Sequence, residues 1–308
     1  MYNGILVLDK IYGAPSRGCV TGVSRALGGR RQKVGHAGTL DTTASGALIL
    51  MLGYATRLSE AVMNLPKTYL AEVTFGWETS TDDASGEPLS DPVQKDYDES
   101  ALKTILPAFL GVRFQVPPKV SAVMVDGRRA HKIARSGGDP DIKPRPVDIT
   151  SIEYLGRTAG GAAKLQIRCH RGTYVRSLAR DIGRALGIGA HLSALRRLNV
   201  GCLRASSGLL YNPQDPPSAE QIITRIQPVT ILASQYYSYS ANAFCEKRLV
   251  DGLAVYLSFM KLRYPGVVPV DEGIMTVGTK HLCLGTLRSQ NGRAVIFPQA
   301  NILTEVCL

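Results

Sequence analysis

The chain has 308 residues, a net charge of +11 and 44% hydrophobic residues, which is enough sequence for one large domain or two ordinary ones with buried cores. It contains no apolar run of the about 18 residues that a membrane-spanning helix needs, and no signal peptide is predicted, so we expect a cytoplasmic protein. Its six cysteines and five histidines lack the C-x-x-C and H-x-x-x-H spacings, so the sequence predicts neither a disulfide framework nor a metal site.

The first half of the chain alternates between strand-like and helix-like segments. The expected order is strand, helix, buried apolar segment, strand and helix, at residues 4–9, 16–27, 47–50, 69–77 and 102–109. Ser16 is the expected N-cap of the first helix, which should stop at Gly28-Gly29. Residues 115–145 are rich in Pro, Gly and basic side chains, which predicts a long surface loop or arm.

The second half opens with alternating apolar and polar residues over 165–170, which predicts a half-buried strand. A helix is expected from near Thr173, a linker over 212–217, and a further short helix with a capping box at Ser218. Short strands separated by turns should follow, and they indicate a small all-β C-terminal module, at residues 274–277, 282–287 and 294–297.

The positive charge is unevenly distributed. Between Val125 and Ser206 the sequence holds sixteen Lys and Arg residues against six Asp and Glu residues. Such a local excess suits a phosphate backbone, because every neutralised phosphate releases counterions. The alternative is ordinary solvated charge that keeps the protein soluble.

A glycine-rich segment, Gly35–Gly46, places one carboxylate, Asp41, just before the buried apolar segment. Gly35 and Gly38 permit backbone conformations that other residues avoid, and they allow close approach to a ligand. Asp41 is therefore a candidate nucleophile or general base. The alternative is that Asp41 caps the following helix or turn, since Asp accepts backbone N–H bonds well.

Seven motifs follow one another along the chain, at Gly4–Gly13, Gly35–Gly46, Lys67–Tyr69, Gly76–Gly86, Gln115–Gly127, Arg171–Leu178 and His191–Arg197. In the same order they resemble the motifs of the TruB-type tRNA pseudouridine synthases, a family that isomerises the uridine at position 55 in the T loop. The sequence departs from the family pattern at Ile11 and Thr42, where the family usually has Pro, and its C-terminal part matches only loosely.

The resemblance implies an α+β fold, with a mixed, mostly antiparallel central sheet flanked by helices and a small all-β PUA-like C-terminal domain. It implies a catalytic domain over 1–232 that carries the RNA-binding arm at 115–145, and a PUA-like RNA-binding domain over 240–308. The implied partner is tRNA, bound through its T-arm stem-loop. Isomerisation of a nucleoside implies no cofactor and no metal, and the family implies a cytoplasmic monomer that requires no protein partner.

The resemblance also implies a set of site residues. Asp41 would be the catalytic carboxylate, as nucleophile or as base, with Arg176 as its counter-charge. Tyr69 would stack on the extruded uracil, and its hydroxyl would move a proton at C5. The substrate would further contact His36, Tyr174, Leu195 and Lys10, with Lys10 either touching a phosphate or bracing the catalytic loop. Arginines at 176, 180 and 184 would grip the RNA backbone.

Three other functions compete with this one. The first is a non-catalytic tRNA-binding or tRNA-folding protein of the same fold, which the residues at Ile11 and Thr42 motivate. The second is a guide-dependent relative that modifies ribosomal RNA inside a ribonucleoprotein. The third is a nucleotide-binding enzyme with a phosphate loop at Gly28-Gly29-Arg30 or Gly35–Gly38, although neither segment has the G-K-[ST] ending of such loops.

Overall fold

The structure is a computed structural model, and it describes residues 1–93, 95–268, 270 and 273–304, apart from the side chain at 303. The helices in this part of the chain are α1 Ser16–Ala26, α2 Ser59–Asn64, α3 Glu99–Ile105, α4 Ala130–Arg135, α5 Val175–Ala185, α6 Ala219–Ile223 and α7 Ala243–Val250. The strands are β1 Gly4–Lys10, β2 Val34–His36, β3 Ala44–Leu52, β4 Lys67–Phe75, β5 Gly111–Gln115, β6 Met124–Val125, β7 Arg128–Arg129, β8 Arg145–Arg157, β9 Ala163–Cys169, β10 Ala190–Val200, β11 Leu203–Arg204, β12 Leu209–Tyr211, β13 Ser238–Ser240, β14 Val255–Tyr256, β15 Lys261–Tyr264, β16 Ile274–Val277, β17 His281–Gln290 and β18 Arg293–Leu303.

The chain forms two compact units, of which the first contains residues 1–66 and 198–308. Here β1 lies between β12, to which it is parallel, and β3, to which it is antiparallel, while β2 pairs with β3. Both β1 and β3 are buried along almost their whole length, which explains their near-continuous apolar sequences. The β1–β3 register sets Lys10 opposite Gly46, so β1 ends beside the loop that carries Asp41.

The C-terminal strands form a separate six-stranded sheet in this unit, in the order β14-β18-β17-β16-β13-β15. Its inner side chains join one hydrophobic core with β1 and β3, and this core includes Ile5, Ile49, Met275 and Leu282. The buried Tyr236 hydroxyl also donates to the Ala61 carbonyl at 2.6 Å. The expected domain boundary between residues 232 and 240 stays a prediction.

The second unit contains residues 67–197. Its strands follow the order β10-β4-β9-β8-β5, and β9 runs antiparallel to both of its neighbours. Every second residue of β4 is buried, as the alternating sequence requires. Helices α3 and α5 contribute Leu102, Leu178 and Ile182 to the core of this unit. The predicted α+β class, with a mostly antiparallel sheet, flanking helices and a C-terminal β-sheet region, is confirmed. The C-terminal region also contains the helix α7.

The expected arm at 115–145 contains more regular structure than the predicted surface loop. Strands β6 and β7 form a hairpin whose turn residues, Asp126 and Gly127, both have positive φ, as a two-residue turn of this kind requires. Helix α4 follows, and Val123, Ala130 and Ile142 form a small buried cluster. The Asp-Gly pair is a strong hairpin signal that the composition of the segment obscured.

Two other local predictions had different outcomes. The capping box at Ser218 is confirmed, since its hydroxyl accepts from the amide of Gln221 and the Gln221 side chain accepts from the Ser218 amide. The prediction that Ser16 caps α1 is wrong, because Pro15 occupies the N-cap position and Ser16 is the first helical residue. No helix among the described residues is long and apolar enough to cross a membrane.

Candidate active site

Asp41 lies in the loop between β2 and β3, and its side chain is partly exposed. No helix follows it: Thr42 and Thr43 form a turn, and the Ala44 amide donates to the Asp41 carbonyl at 3.1 Å. Gly38 has a φ of +98°, so the entry to the loop uses a conformation that side chains other than glycine rarely adopt. The loop therefore presents a carboxylate on a backbone of defined shape.

The short segment from Gly13 to Ser16, which ends at the first residue of α1, holds this loop from both sides of Asp41. The Ser16 hydroxyl donates to the Leu40 carbonyl at 2.6 Å and accepts from the Leu40 amide at 3.0 Å, and all of these atoms are buried. On the other side, the Gly13 amide donates to the Thr42 carbonyl at 2.9 Å. Both neighbours of Asp41 in the sequence are thus hydrogen-bonded to the same short segment.

Lys10 adds a third anchor. Its side chain is fully buried, and Nζ donates to the carbonyls of Ala44, Ala14 and Ile11 at 2.5, 2.8 and 3.1 Å. A buried ammonium group is expensive unless its donors are satisfied, and these carbonyls satisfy it. This geometry favours the bracing role of Lys10 over a contact with an RNA phosphate.

The remaining candidate of the first unit is His36, which lies on β2 opposite Leu50 of β3 and is partly buried. Ile11, at a position where Pro was expected, donates its backbone N–H to the Tyr211 carbonyl at 3.3 Å. A proline at this position could not make that bond.

In the second unit, Tyr69 lies on β4 opposite Ile167 of β9 and is 9% exposed. Leu195 on β10 packs against the same hydrophobic cluster. Tyr174 precedes α5, and its backbone is held by the side chain of Gln115, which donates to the Tyr174 carbonyl at 3.1 Å and accepts from its amide at 2.9 Å. Gln115 therefore ties the base of the arm to the start of α5.

Arg176 is buried in the first turn of α5, with 6% of its surface exposed. Its Nη1 donates to the carbonyls of Thr81 and Val120, both at 3.2 Å. Its Nε lies 3.7 Å from Oδ2 of Asp83, which is itself 5% exposed. The other oxygen of Asp83 accepts from the Thr81 hydroxyl at 2.7 Å and from the amide and hydroxyl of Ser85. Asp83 is thus a fixed, buried counter-charge for Arg176.

The predicted RNA-gripping stripe on α5 needs correction. Arg180 is 8% exposed and binds Asp82 Oδ2 at 2.6 Å and the Val116 carbonyl at 3.0 Å. Burial raises the pKa of Asp82 although the Arg180 charge opposes this effect. Arg184 is exposed, but it makes a bidentate pair with Glu78. Arg176 and Arg180 therefore stabilise loops of their own unit and do not form an exposed cationic stripe.

The structure thus places the candidate residues in two groups. Asp41, His36 and Lys10 belong to the first unit, and the other four belong to the second: Tyr69, Tyr174, Arg176 and Leu195. The pairing of Asp41 with Arg176 stays a prediction. Sequence reasoning missed Ser16 as an anchor of the loop, Gln115 as a clamp on Tyr174, and Asp83 as the partner of Arg176. Asp83 lies in the motif Gly76–Gly86, so the sequence does contain a signal for this residue.

Known protein families match most of this sequence. The sequence model of the TruB family pseudouridylate synthase N-terminal domain matches residues 25–175, and that of the tRNA pseudouridylate synthase B C-terminal domain matches residues 176–212. The tRNA pseudouridine synthase B of Paracoccus denitrificans is 38% identical over 250 residues, which cover 81% of this chain and 83% of that protein. The chain belongs to the TruB family. The enzyme of the same name from Burkholderia mallei is 36% identical over 304 residues, which cover 98% and 97% of the two chains.

Membership of this family makes the protein a tRNA pseudouridine synthase, an RNA-binding isomerase that acts on tRNA. Among solved structures, a Cbf5-Nop10-Gar1 complex contains a chain that superimposes with a TM-score of 0.70 at 22% identity, covering 98% of this chain and 85% of that one. At this identity the likeness concerns the fold alone. No group of His, Cys, Asp and Glu among the described residues could hold a metal ion.

Proposed function

We propose that this TruB-family enzyme isomerises the uridine at position 55 in the T loop of tRNAs, with Asp41 as the catalytic carboxylate. The observation that carries the proposal is the set of anchors around Asp41, which fixes the residues on both sides of it to the short segment from Gly13 to Ser16. A catalytic group needs such support, because a misplacement of about 1 Å can cost on the order of 100-fold in rate.

The reaction breaks the N1–C1′ bond, rotates the uracil and joins C5 to C1′, after which the proton on C5 is lost and N1 gains one. Asp41 acts either by adding to the sugar or by removing a ribose proton, and both routes remain open. The target base has to leave its stack, which requires a pocket that can stack on it. Tyr69 is the candidate for stacking and for moving the C5 proton, while Tyr174, Leu195 and His36 are candidates for contacts with the base and the T loop.

Arg176 is proposed to keep Asp41 ionised, with Asp83 holding the guanidinium in place. A permanently charged guanidinium near a carboxylate favours its ionised form. We also propose that the enzyme binds tRNA through the T-arm stem-loop, which the arm at 115–145 and the PUA-like region over 240–308 contact. The enzyme is further proposed to act as a cytoplasmic monomer. The names of the relatives favour a stand-alone tRNA enzyme over a guide-dependent one.

The test uses an unmodified tRNA transcript with tritium at C5 of its uridines. We expect the wild type to release tritium into water, and Asp41→Asn to bind the transcript without releasing any. A second transcript with cytidine at position 55 should release none with either protein. Release from the second transcript would refute the assignment to position 55. Release by Asp41→Asn would refute the catalytic role of Asp41, and binding without release by the wild type would favour the non-catalytic alternative.

A further inference from the structure

The segment between Asp9 and Asp41 carries six Lys and Arg residues and no Asp or Glu. One of the six, Lys10, is buried at the Asp41 loop. The other five are exposed, and none of them forms a salt bridge within the part of the chain that the structure describes: Arg17, Arg25, Arg30, Arg31 and Lys33. By contrast, the arginines of α5 and the exposed Arg157 are paired with carboxylates. Uncompensated positive charge therefore accumulates along α1 and the turn that follows it.

Two of these arginines line a groove of about 950 Å³ in the first unit, which we call the α1 groove. Arg17, Thr21 and Arg25 lie four residues apart, so they form one stripe along the helix. The floor is made by the small residues of the neighbouring stripe and by the segment that faces them: Gly18, Gly22, Ala26, Tyr211, Pro213, Pro216 and Pro217.

Gly22 allows α1 to pack closely against Tyr211. A Cβ there would lie 2.0 Å from the Tyr211 hydroxyl, which reaches towards the Gly18 carbonyl at 3.4 Å. The helix can lie this close to Tyr211 only because position 22 has no side chain. The result is an apolar floor bordered by two arginines that form no salt bridge with any described residue.

Charge complementarity identifies the ligand of the α1 groove. A sugar–phosphate strand offers phosphates for the arginines, and riboses or bases for an apolar floor of proline and tyrosine. Arg17 and Arg25 are eight residues apart, or about 12 Å along the helix, which is the axial length of roughly three or four nucleotides of a helical strand. Helix α1 is also tied to the Asp41 loop through Ser16 and Leu40, so RNA held at that loop lies close to the start of α1.

We propose that the α1 groove is a second docking surface for the tRNA substrate, which binds a stretch of its sugar–phosphate backbone through Arg17 and Arg25. This inference rests on tRNA as the substrate of the family, and neither on position 55 nor on the role of Asp41. It adds a binding surface in the first unit to the arm and the PUA-like region considered above.

The decisive pair of variants is Thr21→Glu and Thr21→Gln. Thr21 is exposed, and its hydroxyl bonds only within α1, to the Arg17 carbonyl among the described residues. A carboxylate at position 21 can pair with Arg17 or with Arg25, at four residues on either side, which lowers the charge of this stripe from +2 to +1 while supporting the helix. The glutamine variant has the same size without the charge, so a difference between the two reports the charge alone.

Each phosphate contact releases about 0.7 to 0.9 counterions, which at about 0.1 M salt contributes a factor of roughly five to eight in affinity. The single carboxylate offsets one of the two positive charges, so we expect Thr21→Glu to bind an unmodified tRNA transcript roughly five- to eightfold more weakly than Thr21→Gln at that salt concentration. The slope of log affinity against log salt should be shallower by about 0.7 to 0.9. Fluorescence anisotropy over a salt series measures both quantities.

Two further measurements complete the test. Arg17→Gln/Arg25→Gln removes both charges and should weaken binding by roughly 25- to 60-fold. Lys95→Gln/Lys103→Gln, which removes two exposed cations from an acidic neighbourhood, should leave the affinity unchanged. Single-turnover tritium release at saturating tRNA should be the same for both Thr21 variants. Equal affinities and slopes for the two Thr21 variants would overturn the proposal, as would an equal loss in the lysine control. If the wild type binds tRNA without turnover, the proposed catalysis fails, while the salt comparison still decides the docking surface.

Discussion

Ser16 offers the most direct test of how the catalytic loop is held. Its hydroxyl makes two hydrogen bonds to the backbone of Leu40, one as donor at 2.6 Å and one as acceptor at 3.0 Å. Substitution by alanine leaves a buried carbonyl and a buried amide without that partner. Each such group costs about 1 to 3 kcal/mol, so we expect the local stability of the loop to fall by about 2 to 6 kcal/mol.

Hydrogen exchange at the Leu40 amide measures this loss where it occurs. A loss of about 2 kcal/mol corresponds to roughly 30-fold faster exchange by local opening. Because Asp41 follows Leu40 directly, the turnover number in the tritium assay should fall by about 10- to 100-fold, while the KM for tRNA changes little. Ser16→Thr keeps a hydroxyl at the same position and should restore part of the rate.

The matched control is Thr104→Ala. Thr104 also donates to a backbone carbonyl, that of Ser100 at 2.8 Å, but it is exposed and lies in α3. We expect this variant to behave like the wild type in both assays. If Ser16→Ala matched Thr104→Ala in exchange at Leu40 and in turnover, the reasoning that Ser16 positions the loop would be refuted.

Two further predictions concern the second unit. Asp83→Asn removes the charge that faces Arg176 in a buried environment. In a urea titration we expect the free energy of unfolding to fall by about 3 kcal/mol, and tritium release should slow. Glu78→Gln removes the partner of the exposed Arg184 and should lower the free energy of unfolding by no more than about 1 kcal/mol. Equal losses for the two variants would contradict this. Burial lowers the pKa of His191, so the folded state binds a proton at this residue less readily than the unfolded state. The free energy of unfolding should therefore decrease as the pH falls through about 6.5. The difference in this free energy between the wild type and His191→Asn should become smaller over the same pH range. A difference in unfolding free energy that did not vary with pH would show that His191 does not cause the loss of stability.

Elements whose signals are local were predicted well. The strand at 274–277 and the end of α1 before Gly28 appear where the sequence placed them. The capping box at Ser218 is complete, since its two hydrogen bonds join residues three positions apart. In each case, the residues whose sequence pattern predicts the element are the same residues that form it.

The arginines of α5 show where such reasoning fails. Their four-residue spacing correctly places Arg176, Arg180 and Arg184 on one helix, and it says nothing about what faces that side. Arg180 is buried because Asp82 and the Val116 carbonyl meet it there. A periodic pattern reports the orientation of side chains within a helix, and their exposure depends on the elements packed against it.

The sequence by itself determined the family, the α+β class and the position of a single carboxylate in a glycine-rich loop, because motifs and periodicity are written in adjacent residues. The tertiary structure decided which groups hold that carboxylate in place. Ser16 meets a residue 24 positions away, Lys10 a carbonyl 34 positions away, and Arg176 a carbonyl 95 positions away. A hydroxyl or an ammonium group satisfies its hydrogen bonds with whatever acceptor the folded chain brings within reach, and that choice is fixed only when the strands have paired and the core has closed.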